Sequence, residues 1–162
     1  PPDTYTHVLS SAASDVYKRQ EPPGPPVCEW IDETAWGAGY PYNVDEQGNW
    51  GTYTPYPVII DGVEYDGVII WAGQNMDAGA LLFSETDGQV SITILLDDVW
   101  RFAPVEENVK IQPYDEPPPD GNPVPGDFEY KYTATNSPFV VEGLPVAAYY
   151  GVHLDLEWSS CE

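Results

Sequence analysis

Positive charge is scarce in this sequence. Lys and Arg together number 5 among 162 residues, against 27 Asp and Glu, and the formal net charge is −22. Proteins that bind nucleic acid or anionic lipid surfaces do so largely by neutralising phosphates with clustered Lys and Arg. The basic residues here are scattered, apart from one adjacent pair. We therefore expect neither nucleic acid nor an anionic membrane surface as a partner.

Long apolar runs and strong helix formers are also scarce. No stretch approaches the roughly 20 apolar residues that span a bilayer, so membrane insertion is not expected. Gly (14) and Pro (18) punctuate segments rich in Val, Ile, Thr, Tyr and Trp, which favour strands over helices. Hydrophobic residues (42%) and aromatic residues (14%) are numerous enough to build a core, which argues against disorder for most of the chain. The composition predicts an all-β domain with many turns.

Three regions are predicted along the chain. Residues 1–20 form a tail, in which Ser11–Gln20 resembles translated adaptor sequence, and we assign no chemistry to that stretch. Residues 21–26 (Glu-Pro-Pro-Gly-Pro-Pro) form a stiff linker, because proline fixes φ and does not continue a helix or a central strand. Residues 27–162 form the folded domain. The chain begins at Pro1 with no apolar leader, so we expect a mature form or a fragment.

Only two cysteines are present, and they frame the predicted domain. Cys28 stands at its start and Cys161 is the penultimate residue. Two cysteines at the ends of one domain are most simply a disulfide formed in an oxidising compartment. We predict the bridge Cys28–Cys161 and an extracellular or cell-surface location, with two unpaired buried thiols as the alternative.

Alternation of apolar and polar residues predicts the strands. In the longest pattern, Pro145–Trp158, the even positions are apolar, and the odd positions, which include His153, are expected to face water. Asp87-Gly88 lies between two such runs and predicts a hairpin. The other predicted strands are Glu29–Ala35, Trp50–Tyr56, Val68–Ala72, Ala80–Glu85, Gln89–Leu96, Trp100–Phe102, Val109–Gln112, Phe128–Tyr132 and Phe139–Val141. Short strands separated by turns predict an antiparallel β-sandwich, immunoglobulin-like or jelly-roll-like, with Pro113–Pro125 as an exposed loop.

A series of short motifs resembles a known kind of domain. The motifs, in order, are Cys28-Glu29, Thr34-Ala35-Trp36, Asn49-Trp50-Gly51-Thr52-Tyr53, Trp71-Ala72-Gly73-Gln74, Ala78-Gly79, Pro125-Gly126-Asp127-Phe128-Glu129-Tyr130 and the last strand with His153. Together they resemble a secreted β-sandwich domain that recurs in large extracellular surface proteins of bacteria and some microbial eukaryotes. Trp71 replaces a more usual Tyr, and the segment Tyr56–Gly67 is longer than in that pattern. The resemblance implies a β-sandwich fold and carries over no catalytic residues. More loosely, a tail, a Pro-rich linker and one β-domain resemble the subunits of extracellular fibrils built by strand donation.

Residues suited to catalysis or metal binding do not form a convincing pattern. The histidines, His7 and His153, are not near a nucleophile in a Gly-framed turn, and we expect His153 to be an exposed residue without a special role. The two His and two Cys lack the close pairs of a zinc site. Acidic groups that could supply oxygens to Ca²⁺ are Asp97-Asp98, Asp45-Glu46, Asp115-Glu116 with Asp120, and Asp61 with Glu64 and Asp66. None matches the acidic loop with Gly at position 6 and Glu at position 12, so Ca²⁺ binding is left open. Because no catalytic pattern is found either, we expect no enzyme activity and no required cofactor.

Aromatic residues leave two interpretations open. Six Trp and twelve Tyr could stack on sugar rings, or they could fill the core of a sandwich. Trp100 and Trp158 fall in apolar phase and are predicted to be core residues. Four tyrosines in loop-like sequence are the candidate glycan contacts: Tyr40, Tyr42, Tyr53 and Tyr56.

The tail suggests a function. In Asp3–Leu9 the residues Tyr5, His7 and Leu9 alternate with Thr4, Thr6 and Val8, and a lone alternating segment is stable only when it pairs with a sheet. The Pro-rich linker favours pairing with a neighbouring molecule by β-augmentation, which builds a head-to-tail homopolymer. The sequence therefore predicts a non-enzymatic structural subunit of an extracellular filament or surface layer, with Tyr5, His7 and Leu9 on the donor strand. The alternative is an extracellular adhesin or carbohydrate-binding module.

Overall fold

The computed structural model describes residues 24–25, 27–45 and 48–161. The predicted tail and donor strand, with Tyr5, His7 and Leu9, lie outside these residues. Two units are distinguished. The unit Trp30–Ser160 contains every strand found in the described residues. The described residues of the other unit include Cys28 and Cys161, which are joined by a disulfide with a Cα–Cα distance of 5.0 Å. The predicted bridge is confirmed.

The described part of the unit Trp30–Ser160 contains thirteen strands. They are β1 (Trp30–Gly37), β2 (Tyr40–Pro41), β3 (Thr52–Pro55), β4 (Val58–Ile60), β5 (Val63–Tyr65), β6 (Gly67–Ala72), β7 (Met76–Thr86), β8 (Gln89–Leu96), β9 (Trp100–Phe102), β10 (Val109–Tyr114), β11 (Tyr130–Tyr132), β12 (Phe139–Pro145) and β13 (Tyr149–Ser159), with a 3₁₀ turn at Pro125–Asp127. Neighbouring strands in this part of the chain pair antiparallel. The fold is all-β, as the composition predicts.

Two layers form the sandwich, and β13 is the central strand of the first. One edge of β13 pairs with β1 and β3, and the other pairs with β9 and β10, beyond which lies β11. The second layer runs β6-β7-β8-β12. The two layers are connected through the end of β1, where Ala35–Gly37 pairs with Ile70–Ala72 of β6. A separate two-stranded hairpin, β4–β5, stands beside the main sheet.

The main core lies between the two layers. The even residues of β13 from Tyr150 to Leu156 are fully buried, as their apolar phase predicts. They meet the alternate residues of β8 (Val90, Ile92 and Ile94) and of the neighbouring strands in one cluster. Trp100 belongs to this cluster and Trp158 packs against it, which agrees with their predicted phase.

The bounds of several predicted strands differ from the structure by a few residues, and the short strand β2 was not predicted. Three further differences are larger. The last strand begins at Tyr149 instead of Pro145, because residues 139–145 form β12 and the chain turns between the two strands. The expected loop at Pro113–Pro125 loses its first two residues to β10. The hairpin β4–β5 was not predicted, although Asp61-Gly62 at its turn, with φ of 50° and 78°, repeats the signal of the confirmed hairpin at Asp87-Gly88, with φ of 53° and 76°.

Candidate functional site

A second cluster of buried aromatic residues covers the outer face of the first layer. Its buried members are Trp36, Tyr42 and Phe128, and the half-buried Trp50, Tyr53 and Tyr114 pack against them. These side chains come from β1, β3, β10 and the segments 42–50 and 115–128. The face that was expected to meet water is thus covered by loops, and β13 is buried on both sides.

The aromatic cluster packs closely against the sheet at Gly151 of β13, which has no side chain. A Cβ built at Gly151 would collide with the Tyr42 hydroxyl, so the missing side chain makes room for the tyrosine. The Tyr42 hydroxyl instead hydrogen bonds with the Tyr114 hydroxyl at 3.0 Å. Burial, followed by the contact with Tyr114, raises the pKa of Tyr42 well above its ordinary value. Burial raises the pKa of Tyr114 as well, so both hydroxyls keep their protons further into the alkaline range than an exposed tyrosine does.

His153 lies beneath this cluster, and its predicted exposure was wrong. Only 8% of the residue is accessible, and its ring centroid is 4.9 Å from that of Trp36, its cross-strand partner. The Nδ1 atom is buried and hydrogen bonds to no described residue. Burial lowers the pKa of His153 to about 4, with Lys110 acting in the same direction and Asp155 opposing it.

Ion pairs replace aromatic contacts towards the other end of this face. Arg101 approaches Glu157 at 2.7 Å and places its guanidinium carbon 3.7 Å from the Trp30 ring centroid. Lys110 lies 3.3 Å from Asp155. Together with the looser pair Lys131–Glu107 at 3.9 Å, these contacts engage every basic residue between positions 27 and 161. Among the described residues, no side-chain cation is left for an anionic ligand.

A pocket of about 310 Å³ opens beside the aromatic cluster. Its lining residues are Pro41, Asn43, Gly48, Asn49, Trp50, Gly51, Thr52 and Gln74. The wall combines one indole with three side-chain amides and one hydroxyl, and none of these lining side chains is ionisable. Such a wall offers a flat apolar surface next to groups that both donate and accept hydrogen bonds.

The loop that forms one wall of the pocket is fixed by a hydrogen-bonded network. The Asn43 side-chain amide donates to the Asn49 carbonyl at 2.8 Å and to Oδ1 of Asn122 at 2.7 Å. The same oxygen of Asn122 accepts from the Asn49 backbone N–H at 3.1 Å. Asp120 accepts from the Val44 N–H at 2.8 Å. The segment 120–122 thereby holds the loop from outside the pocket.

Gln74 reaches the pocket from the turn between β6 and β7 and has an unusual backbone. Its φ is +77°, a left-handed conformation that costs a residue with a Cβ about 1–2 kcal/mol relative to the right-handed region. Its side chain hydrogen bonds to no residue in the described part of the chain. Strain of this kind is concentrated at sites where a side chain must hold one position.

The four tyrosines predicted as glycan contacts lie in different surroundings. Tyr40 is 55% exposed and packs against the half-buried Tyr53, with ring centroids 5.9 Å apart. Tyr42 is only 4% exposed, so its predicted place on an accessible surface was wrong. Tyr56 packs into the main core against Phe83 and Tyr150.

Sequence reasoning missed most residues that line the pocket. The lining amides belong to Asn43, Asn49 and Gln74, which lie in loops and turns from different parts of the chain. The alternation of apolar and polar residues, which predicts strands, does not identify such residues. Two motifs did contain lining residues, Asn49-Trp50-Gly51-Thr52-Tyr53 and Trp71-Ala72-Gly73-Gln74, but both were recognised only as part of the resemblance.

Acidic groups in the described part of the chain are dispersed. Within residues 24–25, 27–45 and 48–161, no group of three or more His, Cys, Asp or Glu is arranged to hold a metal ion. Of the predicted Ca²⁺ candidates, Glu46 lies outside these residues. The same described ranges contain no helix that is long and apolar enough to cross a membrane.

The strands at the two edges of the sheet, β11 and β12, are the ones that a donated strand would have to pair with. On one side, β11 is three residues long and carries the exposed Lys131. On the other side, β12 has a register shift between Val141 and Leu144 and has Pro138 and Pro145 at its two ends. Short strands, Lys, Pro and bulges are features that protect sheet edges from pairing with other chains.

Comparison of the chain with protein-family models, with curated protein sequences and with solved structures finds no match.

Proposed function

We propose that the folded domain is an extracellular carbohydrate-binding module, and that the pocket around Trp50 takes a neutral sugar. The observation that carries the proposal is the wall itself: one indole, three amides and no ionisable side chain, in a chain of net charge −22. A disulfide and an acidic surface are compatible with an extracellular location.

The chemistry of the wall favours a neutral polyol over other ligands. A sugar ring presents C–H groups on one face, which pack on an indole, and hydroxyls at its rim, which pair with side-chain amides. An anionic ligand would face the field of the acidic domain. The volume of about 310 Å³ lies at the small end of the range for ligand pockets, which suits one or two sugar units.

Isothermal titration of the full chain against neutral oligosaccharides chosen from a glycan array tests the proposal. We expect binding that weakens at least tenfold in Asn49→Ala and in Gln74→Ala, which remove amides without disturbing the aromatic cluster. Trp50→Ala should abolish binding.

Trp30→Ala is the matched control, since Trp30 is 40% exposed and does not line the pocket. It should bind sugar as the parent does. The proposal fails if no neutral glycan binds, or if the amide variants bind as tightly as the parent. Far-UV circular dichroism of Trp50→Ala separates loss of the site from loss of the fold, because Trp50 packs against the aromatic cluster.

Assembly into an extracellular filament by strand donation is the second candidate. The observation that favours it is the tail, whose alternation of Tyr5, His7 and Leu9 suits a donated strand.

A further inference from the structure

The outward side of the second layer is apolar at its centre, where a sheet that faces water is usually polar. On β6, β7, β8 and β12 the inward residues are buried in the core, as Leu81 is. The residues that alternate with them therefore point outward. The most exposed apolar residues of this outward set are Ile69 (41%), Leu82 (38%), Leu95 (37%) and Val140 (48%).

The strand register places these side chains in two adjacent rows. One row crosses β6, β7 and β8, and the next crosses β7, β8 and β12. We call the six residues of the two rows the outer face: Ile69, Ala80 and Leu95 in the first row, and Leu82, Thr93 and Val140 in the second.

A groove of about 400 Å³ continues the outer face beyond β6. Ile69 and Leu82 lie in its wall, and the hairpin β4–β5 contributes Ile60 and Tyr65, both at least half exposed. An isolated two-stranded hairpin is marginal in water, and the two strands of this one have only Val58 buried. The apolar surface therefore extends from the sheet onto an element that has little core of its own.

Acidic residues border this apolar surface at three places. Asp66 lies in the wall of the groove. Glu142 is exposed in the bulge of β12, which lies opposite Ser91. Asp97 is exposed where β8 ends, two residues after Leu95. A partner that covers the outer face therefore meets carboxylates on three sides.

The strands that carry the outer face contain no cation to offset these carboxylates. Residues 55–99, which include β4 to β8, contain eight acidic residues and no Lys or Arg, and Glu142 is the only charged residue of β12. The basic residues in the described part of the chain are Arg101, Lys110 and Lys131, which belong to the first layer and pair with carboxylates there. The border of the outer face is thus negative without compensation.

We propose that the outer face and its groove bind a cationic amphipathic segment of a partner polypeptide. An apolar sheet face is normally covered by another element, and an amphipathic helix presents an apolar stripe beside charged residues. Lys and Arg can lay their alkyl chains on apolar surface while their charged ends reach the carboxylates at its border. Complementary charge speeds the association of such a segment and rejects acidic partners, including a second copy of this chain.

Fluorescence anisotropy of a labelled synthetic peptide, titrated with the full chain, tests the proposal. The probe is a helical peptide of about 14 residues in which Leu forms one stripe and Lys occupies the other positions. We expect binding that weakens as NaCl is added, since salt screens the charged border. Binding should weaken at least fivefold in Leu82→Ser and in Leu95→Ser, and about threefold in Asp66→Asn and in Glu142→Gln.

Matched controls separate this site from the general attraction of an acidic protein. Val105→Ser changes a valine that is also exposed (50%) but lies in the loop after β9. Asp127→Asn removes one exposed carboxylate from the 3₁₀ turn, outside the outer face. Both variants should bind the peptide as the parent does. A second peptide, with Ser in place of every Leu, keeps all the charges and should bind at least tenfold more weakly.

Several outcomes would overturn the proposal. The Leu/Lys peptide could fail to bind, or it could bind the Leu82→Ser and Leu95→Ser variants as tightly as the parent. Asp127→Asn could weaken binding as much as Asp66→Asn, which would reduce the effect to overall charge. Sedimentation equilibrium could show a dimer of the parent that Leu82→Ser dissociates, which would assign the outer face to a second copy. Both Ser variants replace partly exposed residues, and circular dichroism verifies that they fold.

Discussion

Single residues decide where the aromatic cluster can form. Gly151 leaves an opening over β13, and Tyr42 fills it. His153, two residues further along, is enclosed because Trp36 stands directly across from it. Neither position can be recognised from hydropathy, since glycine and histidine both break an apolar pattern. The consequence of the enclosure is a histidine that is stable in the fold only as the neutral form.

His153 should make the fold sensitive to acid. Its pKa is about 4 in the folded protein, against the ordinary histidine value of 6.5 in the unfolded chain, so the unfolded state takes up the proton first. Stability is therefore complete above about pH 6.5 and is lost as the pH falls towards 4, by up to about 3 kcal/mol. Urea unfolding at pH 7.0 and pH 4.5, on the parent and on His153→Gln, measures this loss.

The variant should lose less stability than the parent between the two pH values. Contributions from the rest of the chain are common to the parent and the variant and cancel in the comparison. Equal losses in parent and variant would mean that His153 titrates normally.

Gln74→Gly should separate stability from binding. Glycine adopts φ near +77° without strain, so the free energy of unfolding should rise by up to about 1 kcal/mol, less the entropy that glycine adds to the unfolded chain. The amide is lost at the same time, so sugar affinity should fall as in Gln74→Ala. A variant that is more stable and still binds normally would show that the strained glutamine has no part in the pocket.

At the scale of elements, a strand with one solvent-exposed face can be predicted from the alternation of apolar and polar residues. A strand without such a face cannot be predicted in this way. Gln89–Leu96 alternates clearly, and its hairpin with β7 is found where Asp87-Gly88 predicts it. Val58-Ile59-Ile60 is apolar at every position, so it has no alternation, although the turn signal at Asp61-Gly62 follows it. The even face of β13 was predicted correctly, but its odd face was not, because the loops that cover it are brought there by tertiary packing.

A donated strand would have its own register. If the tail is donated as a strand, the alternation of its sequence puts Tyr5 and Leu9 on the more apolar face, and we expect that face to enter the neighbour's core, since a shift by one residue would exchange the faces. Leu9→Asp should abolish filaments seen by negative-stain microscopy and leave the domain folded. Thr6→Asp should do much less. Filaments lost more readily in Thr6→Asp would reverse the register, and no effect of either variant would exclude the tail as a donor.

For the whole molecule, the disulfide is the strongest single constraint on the unfolded chain. Cys28 and Cys161 are 133 residues apart, and closing a loop of that size removes unfolded-state entropy worth on the order of 4–5 kcal/mol. The double variant Cys28→Ser/Cys161→Ser should therefore melt well below the parent in calorimetry. The parent measured in reducing buffer should match the variant. An unchanged melting temperature in the variant would mean that the bridge does not constrain unfolding.

The central place of β13 has a consequence for synthesis. Its four partners, β1, β3, β9 and β10, all leave the ribosome before it does. Translation proceeds at roughly 5–20 residues per second, so the edges of these strands that pair with β13 wait for seconds without a partner, although β1, β3 and β10 also pair with β6, β2 and β11. The hairpin of β7 and β8 needs no later segment and can form early. A nascent chain stopped before Tyr149 would thus have the hairpin of β7 and β8 but would lack the strand that joins β1, β3, β9 and β10. We expect such a chain to expose apolar core residues and to bind chaperones instead of folding as a shorter domain.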